Sequence, residues 1–420
     1  MVVRHGARTP LTPKYWDGAS WFPGKDCGQL YQAVRLDLSS ADGGPVSPST
    51  HNQRQIDTVL PGGCSKGALT HMGQQQAKDL GGWLRHRYTS QFPFLDPTFQ
   101  AGTLRARTTA FERTKDTLRG VLTGLYPELA SSSFSVTTSG DHDEILYGNT
   151  SKCKRLAALM KTAVAKQKEL QAKDGQVEAL QQRVRAALKL EPDHQTAFVE
   201  LYDALSCLRF HGKAMAAEFT PELMKQIEVQ ASRVMRAVEA PSGADHDARE
   251  MLQLTAGPLI ALIQDNMQQA TGSRSAPDAG PRMQFYSAHD TTIMPLLQIL
   301  AQGSDSWPPY LADIIFELWT PSQQQHKGSW FSGWLSGSAN NEPVVRVLYL
   351  GKAVQLPGAR LAGGTQMPLS AFVDKVLKPY SLTGQDYDRA CDLPEEQQPQ
   401  HVPQIPPQGQ ASSNDSVQGL

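Results

Sequence analysis

The chain begins MVVRHGARTP, Met1 to Pro10, and its fold and chemistry are read outward from this run. Val2 and Val3 leading into a glycine turn resemble the end of a short buried strand. Arg4 and Arg8 place two guanidiniums on one tight turn, and their planar forks of N–H donors suit phosphate oxygens. Gly6 would let the backbone approach a ligand closely, and a helix starting soon after would add its terminal amides. His5 sits between the arginines. Nearby cations favour its neutral form, and a neutral imidazole is a competent nucleophile toward phosphorus. The pattern R-H-G-x-R-x-P fixes five positions, which chance supplies in about one chain of this length in ten thousand.

Transfer of a phosphoryl group to an imidazole needs further cationic support and an acid for the leaving oxygen. Arg107 lies just ahead of a helical pattern, and His289–Asp290 closes the apolar run MQFYSAHD (283–290) just before a second one, TTIMPLLQIL. The end of a strand entering a helix is where α/β sheets place their ligands. A His–Asp pair taken alone is more often a surface or capping pair, so its weight comes from company with the first motif.

The rest of the chain sets the frame. Its 420 residues suffice for a substantial core, with 40% hydrophobic and 19% charged residues, as in soluble globular proteins. The net charge of −1 argues against nucleic acid or an anionic membrane as the main partner, so anion binding must be local. No run approaches the length of a transmembrane helix. A strand ending at Arg4 is short of the usual five or six residues. That predicts that part of the first strand, and a secretory, lysosomal or mitochondrial targeting segment, precede Met1.

Residues 11–66 are rich in Gly, Pro and Ser and read as a long excursion with little regular structure. LTHMGQQQAKDLGGWLRHRY reads as a helix capped by Thr70, and TTAFERTKDTLRGVLTGLY (108–126) as another. From 151 to 240 the composition turns Ala-, Lys- and Gln-rich and helical by propensity. Strands follow at 283–290, 312–319 and 343–350, the last two joined by a long connection, and a Gln/Pro/Ser-rich tail ends the chain. The expectation is an α/β protein: a central, mostly parallel sheet flanked by helices, formed by residues 1–150 and 241–392. Residues 151–240 form an inserted all-α cap, and 393–420 a disordered tail. Pockets form where such a cap meets the sheet.

RHGARTP followed far downstream by HD resembles the histidine acid phosphatases, the branch of the histidine phosphatase superfamily that carries a helical cap. LTHMGQQQAKDLGGWLRHRY, RTTAFERT, EILYGN, Asp203 through His211-Gly212, AGPLIALI and SWPPYLADIIFELW look like family blocks in family order. The spacing and the SWPPY block look most like the lysophosphatidic acid phosphatase members. The resemblance implies a phosphoglycerate-mutase-like sheet with a cap. It makes His5 the nucleophile that becomes phosphohistidine, with Arg4, Arg8, Arg107 and His289 holding the phosphate and Asp290 protonating the leaving alkoxide. It implies no cofactor and no metal, because arginines take the place of magnesium. The expected activity is acid phosphomonoester hydrolysis, with lysophosphatidic acid converted to monoacylglycerol as one substrate. The alternatives are a phytase-like inositol-polyphosphate phosphatase and a non-catalytic phosphate- or lipid-binding relative.

The five cysteines are widely spaced, which excludes the common zinc patterns. The resemblance implies one bridge, Cys153–Cys391. It leaves Cys27, Cys64 and Cys207 unassigned, because the usual partner of Cys207 is missing from PPYLADIIFELW. Three other features read as structural. Gly63–Gly67 matches the G-x-S-x-G elbow of serine hydrolases but lacks the strand before it. Asp141-His142-Asp143 and Asp245-His246-Asp247 are adjacent side chains that rarely converge on one ion, and Asp245 suits a helix cap. Tyr15, Trp16, Trp21 and Phe22 pack the long loop, or alternatively line the pocket mouth and meet an acyl chain. The loop is sparing in basic residues, which favours a monophosphate over a polyphosphate.

Overall fold

The computed structural model describes residues 1–12, 15, 19–41, 43–243, 246–272, 280–320 and 342–392. The 320–341 connection, the 393–420 tail, Trp16 and the Asp245 cap therefore lie largely or wholly outside the described residues. Along the chain run β1 (Val2–Arg4), β2 (Arg35–Ser39), α1 (Thr50–Asp57), α2 (His71–Arg85), β3 (Leu104–Thr108), α3 (Glu112–Leu125) and β4 (Ser133–Thr137). Five long helices come next: α4 (Lys154–Lys173), α5 (Gly175–Leu188), α6 (Phe198–Phe210), α7 (Pro221–Glu239) and α8 (His246–Gly272). The chain continues through β5 (Met283–Ala288), α9 (Asp290–Ile299), β6 (Asp313–Trp319), β7 (Val344–Tyr349), β8 (Lys352–Ala353), β9 (Gln366–Pro368), α10 (Leu369–Phe372) and α11 (Gly384–Cys391).

One sheet organises these elements, in the order β2-β4-β3-β5-β1-β6-β7-β8, with β9 paired to β7. The first five strands in that order run parallel, while β6 to β9 pair antiparallel. Both faces are covered, which explains why β1, β5 and β7 read as almost continuous apolar runs. Alternate residues go to opposite layers. Val2, Tyr286, Ile314 and Val347 join the layer formed with α8 and α9, whereas Val3, Phe285, Ile315 and Leu348 join the layer formed with α2 and α3. A separate apolar cluster holds α5, α6 and α7 together, built on Val184, Leu201, Leu205 and Ile227.

The 11–66 excursion is more ordered than its composition predicts. It contributes the edge strand β2 and helix α1, whose start is capped by Ser49. Only Leu36 of β2 and no residue of α1 is buried, so little periodic apolar signal marked either element. β3 and β4 were likewise missed, being five residues each among polar neighbours.

The disulfide Cys153–Cys391 joins the start of α4 to the end of α11, as the resemblance implied. A second bridge, Cys27–Cys64, staples the long loop, leaving Cys207 as a buried thiol. Ser65 lies beside that bridge, where its hydroxyl donates to the Ile56 carbonyl, so Gly63–Gly67 is a loop and not a hydrolase elbow. Asp141 accepts from the backbone and hydroxyl of Thr50 at the start of α1, and His142 is exposed.

Parallel pairing sets the level of the site. Arg4 pairs with Ala288, and the His5 N–H donates to the Ala288 carbonyl at 3.0 Å. His5 and His289 therefore leave adjacent strands at the same height. Gly6 serves packing more directly than ligand approach: a Cβ there would lie 2.6 Å from the Gly73 carbonyl oxygen. The reverse fit is tighter, since a Cβ on Gly73 would lie 2.1 Å from the Ala7 carbonyl oxygen. The first turn of α2 thus presses directly on the RHGAR turn. Gly73→Ala is expected to lower stability by about 1–3 kcal/mol through overpacking, read as a lower thermal midpoint, and an unchanged midpoint would contradict this contact.

Candidate active site

Polar side chains gather where β1, β3 and β5 end at their C-terminal edge, the position α/β sheets reserve for ligands. His5 is almost fully buried. Its Nδ1 lies 2.9 Å from the Gly6 carbonyl. A carbonyl only accepts, so Nδ1 carries the proton and the Nε2 lone pair is left for chemistry. Burial, then the charges of Arg113, Arg4 and Arg8, hold the His5 pKa well below 6.5. The imidazole therefore stays neutral into the acid range.

Three buried guanidiniums surround it. Arg4 donates to Asp290 Oδ2 at 2.9 Å and to the Pro308 carbonyl, and its guanidinium lies 4.6 Å from the Tyr310 ring centre. Arg8 donates to Asp203 Oδ1 at 2.6 Å. Burial works against the Arg8 charge, and the Asp203 carboxylate more than offsets it. Arg113 donates to Gln55 Oε1 at 2.6 Å and to His289 Nδ1 at 3.4 Å. Among the described residues no carboxylate lies within 4.0 Å of Arg113. Burial and Arg8 push its pKa down despite Asp290 and Asp203. In all three arginines Nε is buried without a hydrogen-bond partner. Three cations thus face two carboxylates, with donors to spare.

His289 and Asp290 start α9. Because Arg113 donates to its Nδ1, His289 is protonated on Nε2, which donates to Thr109 Oγ1 at 3.0 Å. Its ring centre lies 5.7 Å from that of His5. Asp290 Oδ2 also accepts from Trp307 Nε1 at 2.8 Å. Burial alone would raise the Asp290 pKa, but Arg4, Arg8 and the Trp307 N–H bring it down to about 2.

Of the residues expected from sequence, His5, Arg4, Arg8, His289 and Asp290 come together, and Arg107 does not. Its guanidinium bonds Ser139 Oγ at 2.8 Å and lies 3.7 Å from Glu144, on the β3–β4 side. The strand phase explains this: Arg105 and Arg107 share the face opposite Ala106 and Thr108. Arg113, the second residue of α3, lies in the cluster instead. Sequence reasoning also passed over Trp307 and Tyr310, left Cys207 unassigned and gave Asp203 no role. The Cys207 sulfur lies 3.1 Å from the Tyr310 hydroxyl and 3.7 Å from Arg8 Nη1, and burial pushes its pKa up to about 12.

Of the four loop aromatics, Trp16 lies outside the described residues, and the other three do not gather into a pocket wall. Trp21 is fully buried, with Lys213 4.5 Å from its ring centre. Tyr15 packs against the α5–α7 cluster, and Phe22 is 46% exposed at the surface.

The family model described as "Histidine phosphatase superfamily (branch 2)" matches residues 1–350. Human lysophosphatidic acid phosphatase type 6 is 28% identical over 398 residues, covering 93% of this chain and 85% of that protein. Mouse testicular acid phosphatase is 28% identical over 297 residues, covering 68% and 67% respectively. The apo phytase of Hafnia alvei superposes with a TM-score of 0.56 at 16% identity, covering 94% of this chain and 97% of that one, a likeness of fold. The chain belongs to branch 2 of the histidine phosphatase superfamily.

Proposed function

We propose that this chain hydrolyses phosphate monoesters in two displacements at His5. The carrying observation is a neutral His5, with its Nε2 lone pair available, among Arg4, Arg8 and Arg113, three buried guanidiniums that are ion-paired to two carboxylates among the described residues. In the first displacement the Nε2–P bond forms as the ester P–O bond breaks, and Asp290 gives its proton to the leaving alkoxide. In the second, water attacks phosphorus, its proton passes to Asp290, and the P–N bond breaks. Arg4, Arg8 and Arg113 supply donors to the equatorial oxygens, with Arg113 taking the part that the sequence reading gave to Arg107. His289 backs Arg113, and gaining a proton on Nδ1 would turn it into a further phosphate donor.

Asp290 is ionised in the free site, so it must gain a proton to act as an acid. A bound dianion supplies the means. It draws the charge of Arg4 and Arg8 away from the carboxylate, and two negative charges on phosphate plus one on Asp203 then balance the three arginines. Similarity to lysophosphatidic acid phosphatases over 93% of the chain supports a lipid monoester of that kind as substrate. We read residues 151–240 as a cap over this site.

Hydrolysis of p-nitrophenyl phosphate from pH 4 to 8 tests the reading directly. His5→Ala is expected to lower kcat at least about a thousandfold. Arg113→Ala should lose about 100- to 1,000-fold in kcat/KM, whereas Arg107→Gln should lose less than about tenfold. Equal losses for the two arginines would refute the assignment of Arg113. Titration followed by imidazole NMR should keep the His5 ring neutral as pH falls through 6.5. A midpoint at or above 6.5 would contradict the buried, cation-flanked nucleophile.

A further inference from the structure

We infer that Gln55, on α1, is a positioning residue for Arg113: its neutral amide fixes the guanidinium without neutralising it, and so holds the unbalanced cation of the site ready for a phosphate dianion. This rests on the phosphomonoester reading and deepens it, by naming what keeps the charges of the free site out of balance.

Helix α1 buries no residue, so apolar packing does not place it. Polar contacts do. Ser49 caps its start, and Asp141 accepts from Thr50. Asn52 and Gln55, three residues apart on one helical face, turn toward the start of α3. Asn52 Oδ1 accepts from the Glu112 backbone N–H at 3.0 Å, and Gln55 Oε1 accepts from Arg113 Nη1 at 2.6 Å. Gly67 makes room for the second amide, since a Cβ there would lie 3.0 Å from Gln55 Oε1. The two amides thus grip consecutive residues of α3 and set where the Arg113 side chain ends.

Charge sets Arg113 apart from the other two arginines. Arg4 and Arg8 each meet a carboxylate, at 2.9 and 2.6 Å. Arg113 meets an amide and an imidazole instead. Glu112, its neighbour in the chain, pairs with Lys115. Arg8 and Arg4 repel the Arg113 charge, so a carboxylate at position 55 would be the stabilising choice for the free protein. A glutamate would keep the length and the acceptor, pair with the guanidinium, and set three carboxylates against three cations. Glutamine keeps the same geometry and leaves the full charge for phosphate.

Calorimetric binding of inorganic phosphate at pH 8, with thermal midpoints taken in its absence, tests this in Gln55→Glu and Gln55→Met. Glutamate retains the acceptor and adds a charge, whereas methionine retains the length and has neither. Gln55→Glu is expected to bind phosphate at least about 20-fold more weakly, while its phosphate-free midpoint rises. Gln55→Met is expected to lose less than about tenfold, with a lower midpoint. A purely structural contact would give the reverse order, because glutamate replaces the hydrogen bond and methionine does not. Gln55→Glu binding phosphate as tightly as the unaltered protein, losing no more affinity than Gln55→Met, or losing stability together with affinity would overturn the inference. Turnover of p-nitrophenyl phosphate by the unaltered protein is scored separately. The expected affinities without turnover keep the role of Gln55 and sink the hydrolase reading. Turnover with undiminished phosphate binding in Gln55→Glu sinks the inference alone.

Discussion

Three arginines buried around one imidazole repel each other, and only a fixed scaffold keeps them in place. Arg4 is held by Asp290 and the ring face of Tyr310, Arg8 by Asp203 on α6, and Arg113 by Gln55 on α1 and His289. Each partner comes from a different part of the chain. The site therefore exists only when the sheet, the long loop and the α6 helix are assembled together. The excess of cation over carboxylate is a standing electrostatic cost in the free protein, and it becomes a favourable interaction when a phosphate dianion enters.

The same imbalance orders the chemistry. Without phosphate, Arg4 and Arg8 keep Asp290 ionised, while burial, Arg113 and then Arg4 and Arg8 keep His5 neutral. In the proposed mechanism the nucleophile is thus ready before substrate arrives, whereas the acid becomes available as phosphate takes over its cations. Proton donation is in this way tied to occupancy. The first turn of α2 makes the arrangement rigid, because Gly6 and Gly73 meet at a separation that no side chain could share.

Much of this was legible in the sequence because it depended on short, contiguous signals. RHGAR and HD each sit at the end of an apolar strand, and parallel pairing of those strands brings them level. The doubly covered sheet followed from uninterrupted apolar runs. What the sequence concealed were contacts set by phase and by distant packing. Arg107 looked right by proximity to a helix, yet strand alternation turns it toward Glu144. Arg113 carried a usable signal: Arg113, Thr117 and Val121 share the buried stripe of α3, and an arginine on such a stripe calls for an explanation. The edge strand β2 and helix α1 gave almost none, because they bury so little. Trp21 was ambiguous for the opposite reason, since an aromatic residue near a site suits a core and a pocket wall equally well until its exposure is known.

The central claim is that phosphorus bonds covalently to His5 Nε2 during turnover. Mixing enzyme with a phosphate monoester, quenching in alkali and sequencing the N-terminal peptide by mass spectrometry tests it most directly. The account predicts a phosphoryl group on His5, attached through Nε2 and formed and lost at rates compatible with turnover. Steady hydrolysis with an unmodified His5 peptide, or phosphate trapped on another residue, would contradict it.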